Sequence, residues 1–216
     1  MDRNRSLIIS FLTMRRLIGI LGIALPVVLV LGGLMQSEPA IQGSISGYYY
    51  TSMRDLFVGS LCAVSLFLMS YKGYERIDNF IAKMSGAFAL GMVIFPTSMF
   101  SGKVVRVGVF LIDDDVSLYI HLIFGALFFL SLSFNSIFLF TRRHPGVMGK
   151  GKKRRNVIYR SCGIVMIMAM LCIAIYMLFF MNTYIAKMDP VLIFESIALM
   201  AFGVSWLVKG NTLFRD

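Results

Sequence analysis

Residues 17–35 read LIGILGIALPVVLVLGGLM, with Arg15 and Arg16 immediately before them and no charge inside. A helix needs about 20 apolar residues to cross roughly 30 Å of hydrocarbon, so this stretch is long enough to span a bilayer. Five more stretches qualify or come close: Leu56–Tyr71, Phe80–Phe100, Val116–Thr141, Val157–Met181 and Pro190–Val208. The second is short and borrows a turn from Thr51–Asp55, while the fourth and fifth are long enough to tilt or to project beyond the lipid. The expected fold is all-α, a polytopic bundle of six transmembrane helices forming one domain over residues 1–216. Ser6–Met14 is also apolar, but Arg15 and Arg16 cut it off, so residues 1–16 are expected to form a cytoplasmic interfacial segment. No A-x-A site follows a short apolar core, which disfavours a cleaved signal peptide.

Composition agrees with this class. Hydrophobic residues make up 58% of the 216 and charged residues 15%, against roughly 45–50% and about 25% in soluble domains. The net charge of +10 would suggest nucleic acid on a soluble chain, yet here Lys and Arg sit in short clusters between apolar runs. That spacing excludes a hydrated nucleic-acid face and points to a membrane. Cys62, Cys162 and Cys172 are odd in number and lie inside apolar runs, so they read as small buried side chains.

The basic residues also set the threading. Seventeen fall at one set of helix ends, from Arg3, Arg5, Arg15 and Arg16 through Lys72, Arg76 and Lys83 to the Arg142–Arg160 cluster, Lys209 and Arg215. The other set keeps only Arg54, Lys103, Arg106 and Lys187. Positive-inside bias then predicts both termini in the cytoplasm, and the lack of a transit sequence favours a bacterial inner membrane as host. The inner side nets +13 and the outer side −3. HPGVMGKGKKRRN, between spans four and five, reads as a flexible basic loop attracted to anionic headgroups. Pro26 is expected to kink span one and Pro96 to bend span three. Gly19, Gly22, Ala82–Gly86 and Ala87–Gly91 offer the small side chains that let membrane helices approach closely.

Ionisable groups within the spans are costly and therefore candidates for function. Glu195 lies five residues into the sixth span, His121 a similar depth into the fourth, and Arg54 and Asp55 open the second, all toward the outer side. The cluster fits an acid–base constellation, a headgroup cradle or a proton relay. It equally fits a structural ion pair in which Arg54 neutralises Glu195 or Asp55. Tyr48, Tyr49 and Tyr50 suit an interfacial belt or the mouth of a pocket, with Tyr49 placed among the candidate ligand-binding residues. Asp113, Asp114 and Asp115 could attract a hard cation, but no loop of alternating oxygen ligands accompanies them, and no metal site is expected. Ser205, Trp206 and Lys209 read as an interfacial exit with a snorkelling lysine.

Several chemistries are excluded. His121 and His144 are the only histidines and fall on opposite sides, which removes a three-histidine zinc site and paired haem ligation. HExxH, GxSxG, a P-loop and a dinucleotide fingerprint are all missing. No cofactor is implied.

The stretches SISGYYYTSMRDLFVG (44–59), YKGYERIDN (71–79), HLIFGALFFLSLSFNSIFLFT (121–141), RRNVIYRSCG (154–163) and ESIALMAFGVSWLVKG (195–210) together resemble an uncharacterised family of six-span integral membrane proteins. The resemblance implies a six-span bundle and makes Arg54, Asp55, His121, Asn156, Glu195 and Lys209 parts of recurring motifs; it implies no activity. Three functions stay open. The first is binding or moving a lipid or small molecule through an outer-leaflet pocket built from Tyr49, Arg54, Asp55, His121 and Glu195. The second is a membrane hydrolase or transferase acting on a lipid headgroup, with Asp55 or Glu195 as base and His121 as its acid–base partner. The third is a structural or assembly subunit. The implied partners are membrane lipids and a lipid or small-molecule ligand, with a homo-oligomer left open and nucleic acid excluded.

Overall fold

A computed structural model describes residues 3–36, 41–73, 75–98, 106–142 and 150–210, with side chains from residue 11 onward. His144, the charges at Asp2, Glu38, Lys103, Arg143, Arg215 and Asp216, and the loop stretch 143–149 lie outside these residues.

The described residues form six long helices: α1 (Arg3–Leu34), α2 (Arg54–Ser70), α3 (Arg76–Ile94), α4 (Asp114–Phe134), α5 (Lys150–Ile175) and α6 (Pro190–Lys209). Single π-helical turns, Asn135–Leu139 and Tyr176–Phe180, extend α4 and α5. A short antiparallel ribbon, β1 (Arg106–Val107) with β2 (Ile112–Asp113), precedes α4. Among the described residues, five helices are long and apolar enough to cross a membrane. The exception is α2, whose 17 residues reach about 25 Å at 1.5 Å per residue.

Each helix packs on its neighbours in sequence, and α6 closes on α1, giving a ring in chain order. Glycines set the closest approaches. A Cβ on Gly203 would lie 2.6 Å from the Gly19 carbonyl oxygen, and one on Gly19 would lie 2.8 Å from that of Gly203, so α1 and α6 meet backbone to backbone. Gly86 does the same for α3 against Ser65 of α2, where the Ser65 hydroxyl donates to the Gly86 carbonyl at 2.7 Å. Serines continue the polar stitching, Ser85 with Ser131 at 2.7 Å and Ser136 with Ser205 at 3.0 Å. In hydrocarbon these small residues and interhelical hydrogen bonds replace the hydrophobic effect as the adhesive. The outer faces are apolar and exposed, with Ile20, Leu31, Leu66, Ile123, Leu130, Phe138, Ile164 and Met168 all pointing away from the core. So continuous an apolar surface suits a lipid solvent rather than water.

Several local expectations change. α1 runs unbroken through Arg15–Arg16. Both arginines cap α6 instead: Arg15 donates to the Lys209 carbonyl at 3.4 Å and Arg16 to the Gly210 carbonyl at 3.1 Å, placing cations where a helix C-terminus carries partial negative charge. Arg15 is buried with its guanidinium over the Phe11 and Tyr71 rings. Pro26 sits inside α1 without ending it. Pro96, expected to bend span three, lies beyond the end of α3; Phe95 before it leaves helical geometry at φ −110, ψ 88, as the residue preceding a proline tends to do. Lys150–Asn156, expected as part of a flexible loop, form the first turns of α5. Trp206, expected at the interface, is 1% exposed and packs edge-on against Tyr71, Phe140 and Phe202.

Candidate functional site

The end of the bundle remote from Arg15 holds a cavity of about 330 Å³, within the range of small-molecule sites. One wall is apolar, made by Leu118, Leu122 and Phe129 of α4 and Met170 and Ile173 of α5 with Met177 beyond it. The other is polar, made by the segment Gln42–Tyr50, by His121, and by Asp189 and Glu195 at the start of α6.

The polar wall is built by three contacts that bridge distant parts of the chain. α3 stops at Ile94, and Pro96 stands where an N–H would otherwise reach back four residues to the Met92 carbonyl. That carbonyl, with the Phe95 carbonyl, faces His121 Nδ1 instead, at 3.1 and 2.8 Å. Carbonyls only accept, so Nδ1 carries the hydrogen, and when the ring is neutral Nε2 presents a lone pair. Ser46 Oγ lies 2.9 Å from Nε2 and is therefore the donor. Both residues are 4% exposed. Ser46 opens a 3₁₀ turn, Ser46–Tyr50, and Glu195 holds its start by accepting the Ile45 N–H at 2.6 Å and the Ser46 N–H beside it. A carboxylate at the amide end of a helical turn satisfies donors that have no partner within the turn.

The other candidates are placed differently. Tyr49 and Arg54 form their own pair, with the guanidinium donating to the Tyr49 hydroxyl at 2.8 Å and lying 4.4 Å from the ring centroid. Neither lines the cavity, and Asp55 is exposed in the first turn of α2. The ion pair expected between Arg54 and Glu195 is not formed; Glu195 binds backbone amides while Arg54 is held by Tyr49. Tyr50 does line the cavity. Its hydroxyl donates to the Thr97 carbonyl, and burial, reinforced by Tyr49 and Asp114, pushes its pKa up to about 12. Asp114 is buried and accepts from Ser98 at 2.9 Å, while Asp114 and Asp115 occupy the first turn of α4, where carboxylates complement the helix dipole. No group of three or more His, Cys, Asp or Glu positioned for a metal occurs among the described residues.

The chain matches no family model, no curated protein and no solved structure. Ser46 and Asp189 escape the sequence reading, and Pro96 is read there as a bend within span three rather than as the stop that frees the Met92 carbonyl. Ser46 and His121 are 75 positions apart, a distance no periodicity bridges. A proline four residues after Met92, at the end of an apolar run, is the one local sign that a carbonyl there lacks its helical partner.

Proposed function

We propose that this is a six-span membrane protein, with both termini cytoplasmic, that binds an amphiphile in a pocket opening at its outer end. The observation that carries the reading is the cavity itself, apolar along α4 and α5 and polar at Ser46, His121 and Glu195. An acyl chain matches the first wall and a polar head the second. Among the described residues its charged lining groups are Glu195 and Asp189, with no lysine or arginine, so a neutral or cationic head suits it better than an anionic one. The sixth crossing rests on α2, which lies between α1 and α3 in the ring and packs along α3. Membrane lipids are the surrounding partners, and a bacterial inner membrane is the host we favour.

The test uses a photoreactive fatty-acyl probe added to the purified protein in neutral detergent. Gly125 lines the cavity, and a Cβ there would meet only the Met92 side chain, at 3.8 Å or more, so Gly125→Leu fills the space at little cost to packing. Cross-links on α4 and α5 that disappear in Gly125→Leu are expected. Equal cross-linking in both proteins would refute the pocket.

A further inference from the structure

We propose that Ser46 and His121 are a nucleophile and its general base, and that the outer-end cavity cleaves carboxylic esters of the amphiphiles it holds. The proposal rests on the amphiphile-binding reading and adds a reaction to it.

Hydrogen-bond polarity carries the inference. A serine hydroxyl is a weak nucleophile unless a base accepts its proton as it attacks, and the base must present an unprotonated nitrogen. At His121 the tautomer is fixed by two acceptors that cannot donate, the Met92 and Phe95 carbonyls at 3.1 and 2.8 Å. The lone pair on Nε2 is thereby directed at Ser46 Oγ, 2.9 Å away. The carbonyls do for this ring what a carboxylate does in the Ser–His–Asp arrangement, holding tautomer and orientation. Pro96 makes this available, since its missing N–H leaves the Met92 carbonyl unclaimed by the helix.

Surroundings and access fit the same chemistry. Ser46 and His121 both line the cavity, on its polar wall. Ser44 also lines it; its oxygen accepts the Gly47 N–H at 2.9 Å, and its hydroxyl hydrogen is the donor assigned to a developing oxyanion. Glu195 fixes the backbone at Ser46 through the Ile45 and Ser46 amides, and acts as a positioning residue.

The reaction balances with water as the only co-reactant. Ser46 Oγ bonds to the acyl carbon while its proton passes to His121 Nε2. The ester C–O bond then breaks, and the leaving alcohol takes the proton from Nε2. Water attacks the acyl-serine, giving a proton to Nε2; the acid departs, and Ser46 Oγ recovers the proton. The overall change is ester plus water to carboxylic acid plus alcohol.

The experiment treats the purified full chain with a fluorophosphonate carrying an alkyl tail, locates the adduct by peptide mass spectrometry, and follows p-nitrophenyl octanoate and acetate hydrolysis in parallel. The adduct is expected on Ser46. Ser46→Ala should abolish it, and His121→Ala should slow labelling and octanoate hydrolysis by about 100-fold or more, the range for loss of a general base. Octanoate should be preferred over acetate. Thermal melts identify folded variants; if His121→Ala does not fold, the site of the wild-type adduct and Ser46→Ala decide the matter. No adduct on Ser46 in folded protein, or hydrolysis unchanged in Ser46→Ala, overturns the proposal. The photoreactive probe separates the two readings: cavity cross-links without a Ser46 adduct leave binding standing and remove catalysis, whereas missing cross-links remove both.

Discussion

Gly203→Ala should destabilise the protein, and Gly59→Ala should stabilise it, although both add one methyl to a helix interior. At Gly203 the new Cβ would stand 2.6 Å from the Gly19 carbonyl oxygen and 2.9 Å from the Ile23 backbone nitrogen, where ordinary contacts begin at 3.4 Å. The shortfall, roughly 0.8 Å, falls on backbone atoms that cannot rotate away, so α1 and α6 must separate. Overpacking of this kind costs about 1–3 kcal/mol, or roughly 2–12 °C in Tm for a chain of this size. At Gly59 nothing lies within 4 Å of the added carbon, and alanine is favoured over glycine in a helix by about 0.5–1 kcal/mol, or a rise of roughly 1–4 °C. Because Gly19 and Gly203 share one contact, the double alanine variant should fall short of the sum of the singles. Differential scanning fluorimetry in a single neutral detergent measures all five proteins: wild type, the alanine singles at Gly19, Gly59 and Gly203, and the Gly19/Gly203 double. A Gly203→Ala protein as stable as wild type would refute the backbone-to-backbone closure of the ring.

Glu195→Ala leaves the Ile45 amide without its acceptor and should cost about 1–3 kcal/mol by thermal melt; adding Arg54→Ala should be additive within about 0.5 kcal/mol, since the two share no partner, and a larger coupling would restore the ion-pair view. Arg15→Ala should cost about 1.5–3 kcal/mol through loss of its charged hydrogen bond to the Lys209 carbonyl at the α6 terminus, and an unchanged Tm would remove that role. Tyr50 has a raised pKa, so its protonated form is the one favoured by folding; its contribution is fully present below pH 10 and is lost as pH rises from 10 toward about 12. Alkaline melts of wild type and Tyr50→Phe should therefore converge over that window, and parallel curves would refute it. A periplasmic reporter fused after Gln42 should be active and one fused after Lys150 inactive; the reverse result would overturn the threading.

Much of the architecture was legible because a bilayer imposes it. A run such as Leu17–Met35 has few alternatives to a helix in hydrocarbon, and the glycines at 19, 22, 86 and 91 face neighbouring helices in the bundle. Helix ends were harder, since hydropathy does not register where the backbone stops. Pro96 follows an apolar stretch yet stands past the end of α3, and the basic run from Lys150 reads as a flexible loop although Lys and Arg are good helix formers. Arg15 and Arg16 read as a boundary because their partners, the carbonyls of Lys209 and Gly210, lie 194 positions away. At the site, His121 and Glu195 were visible as costly groups at similar depth. Ser46 was not, because a serine in a loop of serines and tyrosines carries no mark of its own until the ring closes over it.

That closure has a bearing on biogenesis. The α1–α6 seam joins a helix made early to the last one described, so during synthesis the glycine face of α1 and the buried Arg15 wait, without their final neighbours, until about 190 further residues have been made. Intermediates holding α1 to α5 would expose a polar notch and a backbone-thin strip to lipid, a surface that invites mispairing with another copy or capture by quality control. Losing α6 should therefore be felt as loss of the whole protein rather than of one wall, and the rate of seam formation sets how long each new chain is vulnerable.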